Sequence, residues 1–64
     1  MPHCYWSRAG AGVWRLYYGD AVIAEITRSE SRKDWRWLFL GMVGYADTLD
    51  AAMLAVGRRR REKK

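Results

Sequence analysis

The sequence predicts an α+β fold, a three-stranded antiparallel sheet packed on one C-terminal helix in the order βββα. Three observations predict it. Two runs rich in β-branched and aromatic residues flank Gly19-Asp20, a third such run covers residues 35–40, and residues 49–56 place apolar side chains at helical spacing.

The first two strands come from V-W-R-L-Y-Y-G-D-A-V-I-A-E-I-T-R at residues 13–28, where glycine supplies the positive φ that a tight hairpin turn needs. The polar run S-E-S-R-K-D at residues 29–34 reads as an exposed connection, and W-R-W-L-F-L as the third strand. Asp47 or Thr48 can cap a helix whose apolar Leu49, Ala52, Met53 and Val56 fall at i, i+3, i+4 and i+7. Gly57 ends that helix, or the arginines after it carry it further. Residues 1–12, with the large apolar Tyr5 and Trp6 before a small A-G-A-G run, read as an arm or as a short extra strand at the sheet edge, with an arm folded back over the sheet the favoured reading. The expected organisation is therefore an arm over residues 1–12, a βββα domain over residues 13–57 and a basic tail over residues 58–64.

A chain of 64 residues makes one small domain and leaves roughly 40% of its unfolded surface exposed after folding. Half of the residues are hydrophobic and 30% are charged, a globular and not a disordered composition. No apolar run approaches the roughly 18 residues of a membrane span, and the N-terminal residues lack the pattern of a secretory signal. A soluble, cytoplasmic protein with no membrane partner is the expectation. One cysteine and one histidine exclude an internal disulfide and fall short of a structural zinc site, so neither metal nor cofactor is expected. His3 and Cys4 are adjacent but lack a third orienting group, and Asp47 with Asp50 reads as helix capping. Neither an enzyme nor a small-molecule substrate is expected.

The formal net charge is +5, and it is unevenly placed. Residues 58–64 alone sum to +5, while the six cations and six carboxylates of residues 1–57 cancel. Attraction to phosphate therefore rests on the tail unless the cations of the body gather on one side.

A two-residue turn at Gly19-Asp20 sets Tyr18 opposite Ala21, Leu16 opposite Ile23 and Trp14 opposite Glu25 on one face, with Tyr17 opposite Val22, Arg15 opposite Ala24 and Val13 opposite Ile26 on the other. The aliphatic set of Val13, Val22, Ala24, Ile26, Leu38 and Leu40 is then the surface under the helix. The open face presents Trp14, Leu16, Tyr18, Ile23, Trp35, Trp37 and Phe39, more apolar surface than a soluble monomer usually leaves in water. The N-terminal arm, a second copy of the chain or a foreign partner is expected to cover it.

The strand order, with A-V-I-A-E-I-T-R, W-R-W-L-F-L-G and T-L-D-A-A-M-L-A-V, resembles the DNA-binding domain of plant ethylene-response factors and the similar arm-binding domain of phage and transposon integrases. The resemblance spans about residues 13–56. It implies a sheet lying in the major groove with the helix behind it, and strand side chains meeting the DNA. By position, Glu25 matches a residue that faces DNA in that family. Thr27 and Trp37 stand where the family has arginine, and Phe39 where it has tryptophan. The W-x-W, Gly, T-L-x-x-A pattern is also similar to that of small phage and prophage proteins of unknown role.

The expected function is a nucleic-acid-binding module. An aromatic sheet face of Trp14, Tyr18, Trp35, Trp37 and Phe39 stacks on bases or fills a groove, and Arg15, Arg28, Arg32, Lys33 and Arg36 meet phosphates together with Arg58, Arg59, Arg60 and Arg61 of the tail. The alternative is a protein-interaction factor of phage type, an inhibitor docking on a bacterial nucleoprotein complex such as a CRISPR effector, because aromatic and arginine side chains also dominate protein interfaces. A homodimer is compatible with both.

Overall fold

The computed structural model describes residues 3–31 and 33–62, with the side chains of residues 61 and 62 outside that description. Among the described residues five strands and one helix follow in the order β1 (Cys4–Gly10), β2 (Val13–Tyr18), β3 (Ala21–Ser29), β4 (Asp34–Phe39), β5 (Met42–Ala46) and α1 (Leu49–Glu62). The strands form one antiparallel meander in sequence order, β1-β2-β3-β4-β5. The α+β class and the C-terminal helix are as the sequence predicts, and the sheet has five strands where three were expected.

Both additional strands have local causes. The N-terminal segment takes the alternative form, the edge strand β1, and not the favoured arm, since Cys4, Trp6 and Arg8 alternate with Tyr5 and Ser7 at the period-two spacing of a strand and pair with Tyr18, Leu16 and Trp14. Strand β5 follows a two-residue turn in which Leu40 (φ 49°) and Gly41 (φ 83°) are both left-handed, the backbone of a type I′ hairpin. Leucine rarely takes that conformation and here is exposed. Leu40→Asn, which creates the favoured Asn-Gly turn, should raise stability by about 1 kcal/mol, read as a higher urea midpoint at unchanged slope.

The expected pairing holds next to the turn, where Tyr18 meets Ala21 and Tyr17 meets Val22. Beyond it Ile23 is the extra residue of a β-bulge, so Leu16 pairs with Ala24 instead of Ile23, Trp14 with Ile26, Arg15 with Glu25 and Val13 with Thr27. This one-residue slip moves Ala24 and Ile26 to the side of Leu16 and Trp14 and overturns the expected assignment of faces. The helix covers the aromatic side. Leu16, Ala24, Ile26, Trp37 and Phe39 form the core with Ala52 and Val56 of α1, and Trp6, Trp14, Ile23, Trp35, Leu49 and Met53 pack around it. Val22, Leu38 and Leu40, expected beneath the helix, are exposed.

Thr48 is the cap of α1: its Oγ1 accepts the N–H of Ala51 at 3.1 Å and its carbonyl accepts that of Ala52 at 3.0 Å. The helix does not stop at Gly57 and carries Arg58–Arg61 in its last turns, so the expected tail begins as helix. It starts just past the end of β5, and at its far end the Arg60 guanidinium lies 3.0 Å from Cys4 Sγ at the start of β1. The backbone of α1 packs over β3, β4 and β5 and does not approach β1 or β2. A corner of the sheet on the helix side is therefore bare, where β1 ends and β2 begins. Among the described residues no helix is long and apolar enough to cross a membrane.

Candidate functional site

That bare corner holds a cleft of about 530 Å³ whose walls include Arg8, Trp14, Arg28, Glu30, Lys33 and Trp35. Each strand from β1 to β4 contributes one side chain, with cation and aromatic alternating. Arg8 of β1 pairs with Trp14 of β2, and Arg28 of β3 pairs with Trp35 of β4. Arg28 lies two residues beyond Ile26, the partner of Trp14, so it stands diagonally between the two tryptophans. Trp14 and Trp35 are two strand spacings and two residues apart, about 12 Å between backbones. Both are half-buried, with one part against the core and another at the cleft.

The turns at this end of the sheet fix the cations. The Arg28 N–H donates to the Gly12 carbonyl at 2.8 Å, and a Cβ at Gly12 would come within 3.1 Å of Arg28 Cβ. Gly12 also has a φ of 70°, so both the turn and the close approach require glycine there. Arg8 Nε donates to the Gly10 carbonyl at 3.4 Å. Lys33 closes the β3–β4 connection, its N–H donating to the Ser29 carbonyl at 2.8 Å with the residue in the left-handed region at φ 57°. Arg8, Arg28 and Lys33 against Glu30 leave the cleft with a formal charge of +2.

The other side of the sheet has a different character. Arg15 Nε donates to Glu25 Oε2 at 3.1 Å; hydrogen bonds to Glu25 and then Tyr17, followed by the charge of Glu25, raise the Arg15 pKa above its ordinary value. The pair is solvated and contributes little to stability. Tyr5 and Tyr17 stack at 5.3 Å between centroids, and Tyr5, Val22, Leu38, Val43 and Tyr45 leave large apolar surface exposed. This is the uncovered apolar face that the composition predicts, built from residues other than those expected.

Of the candidate residues, the structure brings Trp14, Arg28, Lys33 and Trp35 to one cleft. Arg15 and Arg36 lie on the opposite face, Arg15 in its ion pair and Arg36 between Thr27 and Tyr45. Trp37 and Phe39 are core residues, 7% and 3% exposed. They sit under the helix while Glu25 and Thr27 lie on the far side, so the four positions compared with the ethylene-response-factor domain do not share a face. Tyr18 is exposed at the other end of the helix side, beside Cys4. Arg58, Arg59 and Arg60 are exposed on α1, Arg32 lies outside the described residues, and so does the side chain of Arg61. Sequence reasoning missed Arg8, whose signal is the Cys4, Trp6, Arg8 alternation that marks β1. No family model, curated protein or solved structure matches the chain. Among the described residues no group of three or more His, Cys, Asp or Glu is placed to hold a metal ion.

Proposed function

We propose that the protein binds single-stranded nucleic acid in the cleft between Trp14 and Trp35. The observation that carries this reading is the alternation of Arg8, Trp14, Arg28 and Trp35 across four neighbouring strands, with Lys33 beside them. An indole offers its face to the face of a base, and in a duplex those faces are already taken by neighbouring base pairs, so the cleft selects unpaired bases. The three cations meet the phosphates on either side of a stacked base. The volume suits a small planar group, lying inside the range of roughly 300–1,000 Å³ typical of ligand sites.

Each phosphate contact on a single strand contributes about −0.7 to the slope of log K against log salt. Replacing Arg8, Arg28 and Lys33 together by glutamine should therefore make the slope for oligothymidylate shallower by about 2, measured by fluorescence anisotropy across a salt series. An unchanged slope would remove the cleft from the binding surface. It would leave the second reading, docking of a partner protein on the open face, which the exposed Tyr5, Val22, Val43 and Tyr45 favour.

A further inference from the structure

We infer that a bound strand leaves the cleft along β1 and ends on a second aromatic and cationic contact formed by Tyr18 and Arg60. This deepens the proposed function and rests on it. Cys4, Trp6 and Arg8 share one face of β1, and their partners Tyr18, Leu16 and Trp14 share the same face of β2. Arg8 and Trp14 belong to the cleft. Four residues along, at about 13 Å, Cys4 and Tyr18 are a pair, Tyr18 is 46% exposed, and Arg60 Nη2 lies 3.0 Å from Cys4 Sγ. The cleft's combination of a ring beside a guanidinium is thus repeated at the opposite end of the same two strands.

Between the two ends the helix backbone does not approach β1 or β2, but Leu16 is buried in the core and Trp6 is half-buried against it, so the strand crosses over the outer part of Trp6. The hydrogen bond from the Gly19 N–H to the His3 carbonyl, at 3.3 Å, ties the start of β1 to the β2–β3 turn and fixes the far end. A length of 13 Å corresponds to about four stacked nucleotides. The arginines of the helix are not equivalent. Arg60 follows Val56 by four residues and continues the helix stripe that faces the sheet, whereas Arg58 points about 200° away and borders a small hollow with Trp37, Ala55 and Arg59. Arg60 therefore serves the strip and Arg58 does not, although each carries the same charge.

The test compares oligothymidylates of two and eight nucleotides on the full chain at 150 mM salt, where screening acts within about 8 Å. The octamer should bind the unmodified protein more tightly than the dinucleotide. Arg60→Gln and Tyr18→Leu should each weaken octamer binding about tenfold and leave the dinucleotide unchanged, while Arg58→Gln leaves both within about twofold. Equal affinity for the two lengths, or equal loss from Arg58→Gln and Arg60→Gln, would overturn the second contact while the cleft reading stands. Failure of the unmodified protein to bind either oligonucleotide would overturn both.

Discussion

Replacing Gly44 by alanine should cost about 3 kcal/mol or more, at or above the upper end of overpacking costs. Gly44 pairs with Trp37 across β4 and β5, and the indole lies directly on the glycine. A Cβ there would overlap Cζ2, Cε2 and Nε1 of Trp37, all closer than the 3.0 Å that real Cβ atoms respect. The indole has no room to retreat, because it is 7% exposed and pairs with fully buried Ile26 on its other side. A domain of this length has a total stability of about 3 to 10 kcal/mol, so the substitution removes about 30% of it or more. The melting temperature should fall by roughly 12 to 24 °C. Gly57→Ala is the matched control: nothing lies within 4 Å of a Cβ at that helical position, and the same chemical change should stabilise by up to about 1 kcal/mol. Equal responses at the two sites in thermal and urea unfolding would refute the packing of Trp37 on Gly44.

That contact also explains why part of the fold escaped the sequence. A glycine within M-V-G-Y-A reads as punctuation, and the turn before β5 has leucine where asparagine or glycine would signal a hairpin. The glycine is required by tertiary packing, which no local pattern reveals. Strand β1 was obscured by the small residues Ser7, Ala9 and Gly10, and Ala9 falls at a register shift between Arg8 and Gly10. By contrast, the Gly19-Asp20 hairpin, the strand at Trp35 and the helix after Thr48 were legible, since each is specified by its own turn, run or cap. The bulge at Ile23 was not, and through it the sheet was read inside out.

The charge pattern shows the same division between local and tertiary information. Residues 1–57 are formally neutral, and a count along the chain does not say which of their cations gather on one side. Folding sorts the charges: Arg15 is paired with Glu25 on one face, while Arg8, Arg28 and Lys33 come together on the other with Glu30 as the acidic side chain in the cleft. Four of the expected site residues meet there because β2 and β4 flank the same central strand, a fact of topology and not of spacing.

Removing both aromatic faces from the cleft should have the largest effect on binding. A stacked base is worth about 1 to 3 kcal/mol per aromatic side chain, so Trp14→Leu with Trp35→Leu should weaken oligothymidylate binding by about 4 kcal/mol, roughly a thousandfold. Leucine is chosen because both tryptophans also pack against the core, and an aliphatic side chain retains much of that contact while offering no π face to a base. The corresponding pair of phenylalanine substitutions should recover most of the affinity, since a smaller ring still stacks. Circular dichroism and urea unfolding would establish that all three proteins are folded at the temperature of the titration. Recovery by phenylalanine is the discriminating result, because a role confined to packing would make leucine and phenylalanine equivalent. Binding by the leucine variant within about threefold of the unmodified protein would show that the indoles do not stack on bases and that the ligand, if any, is held by charge alone.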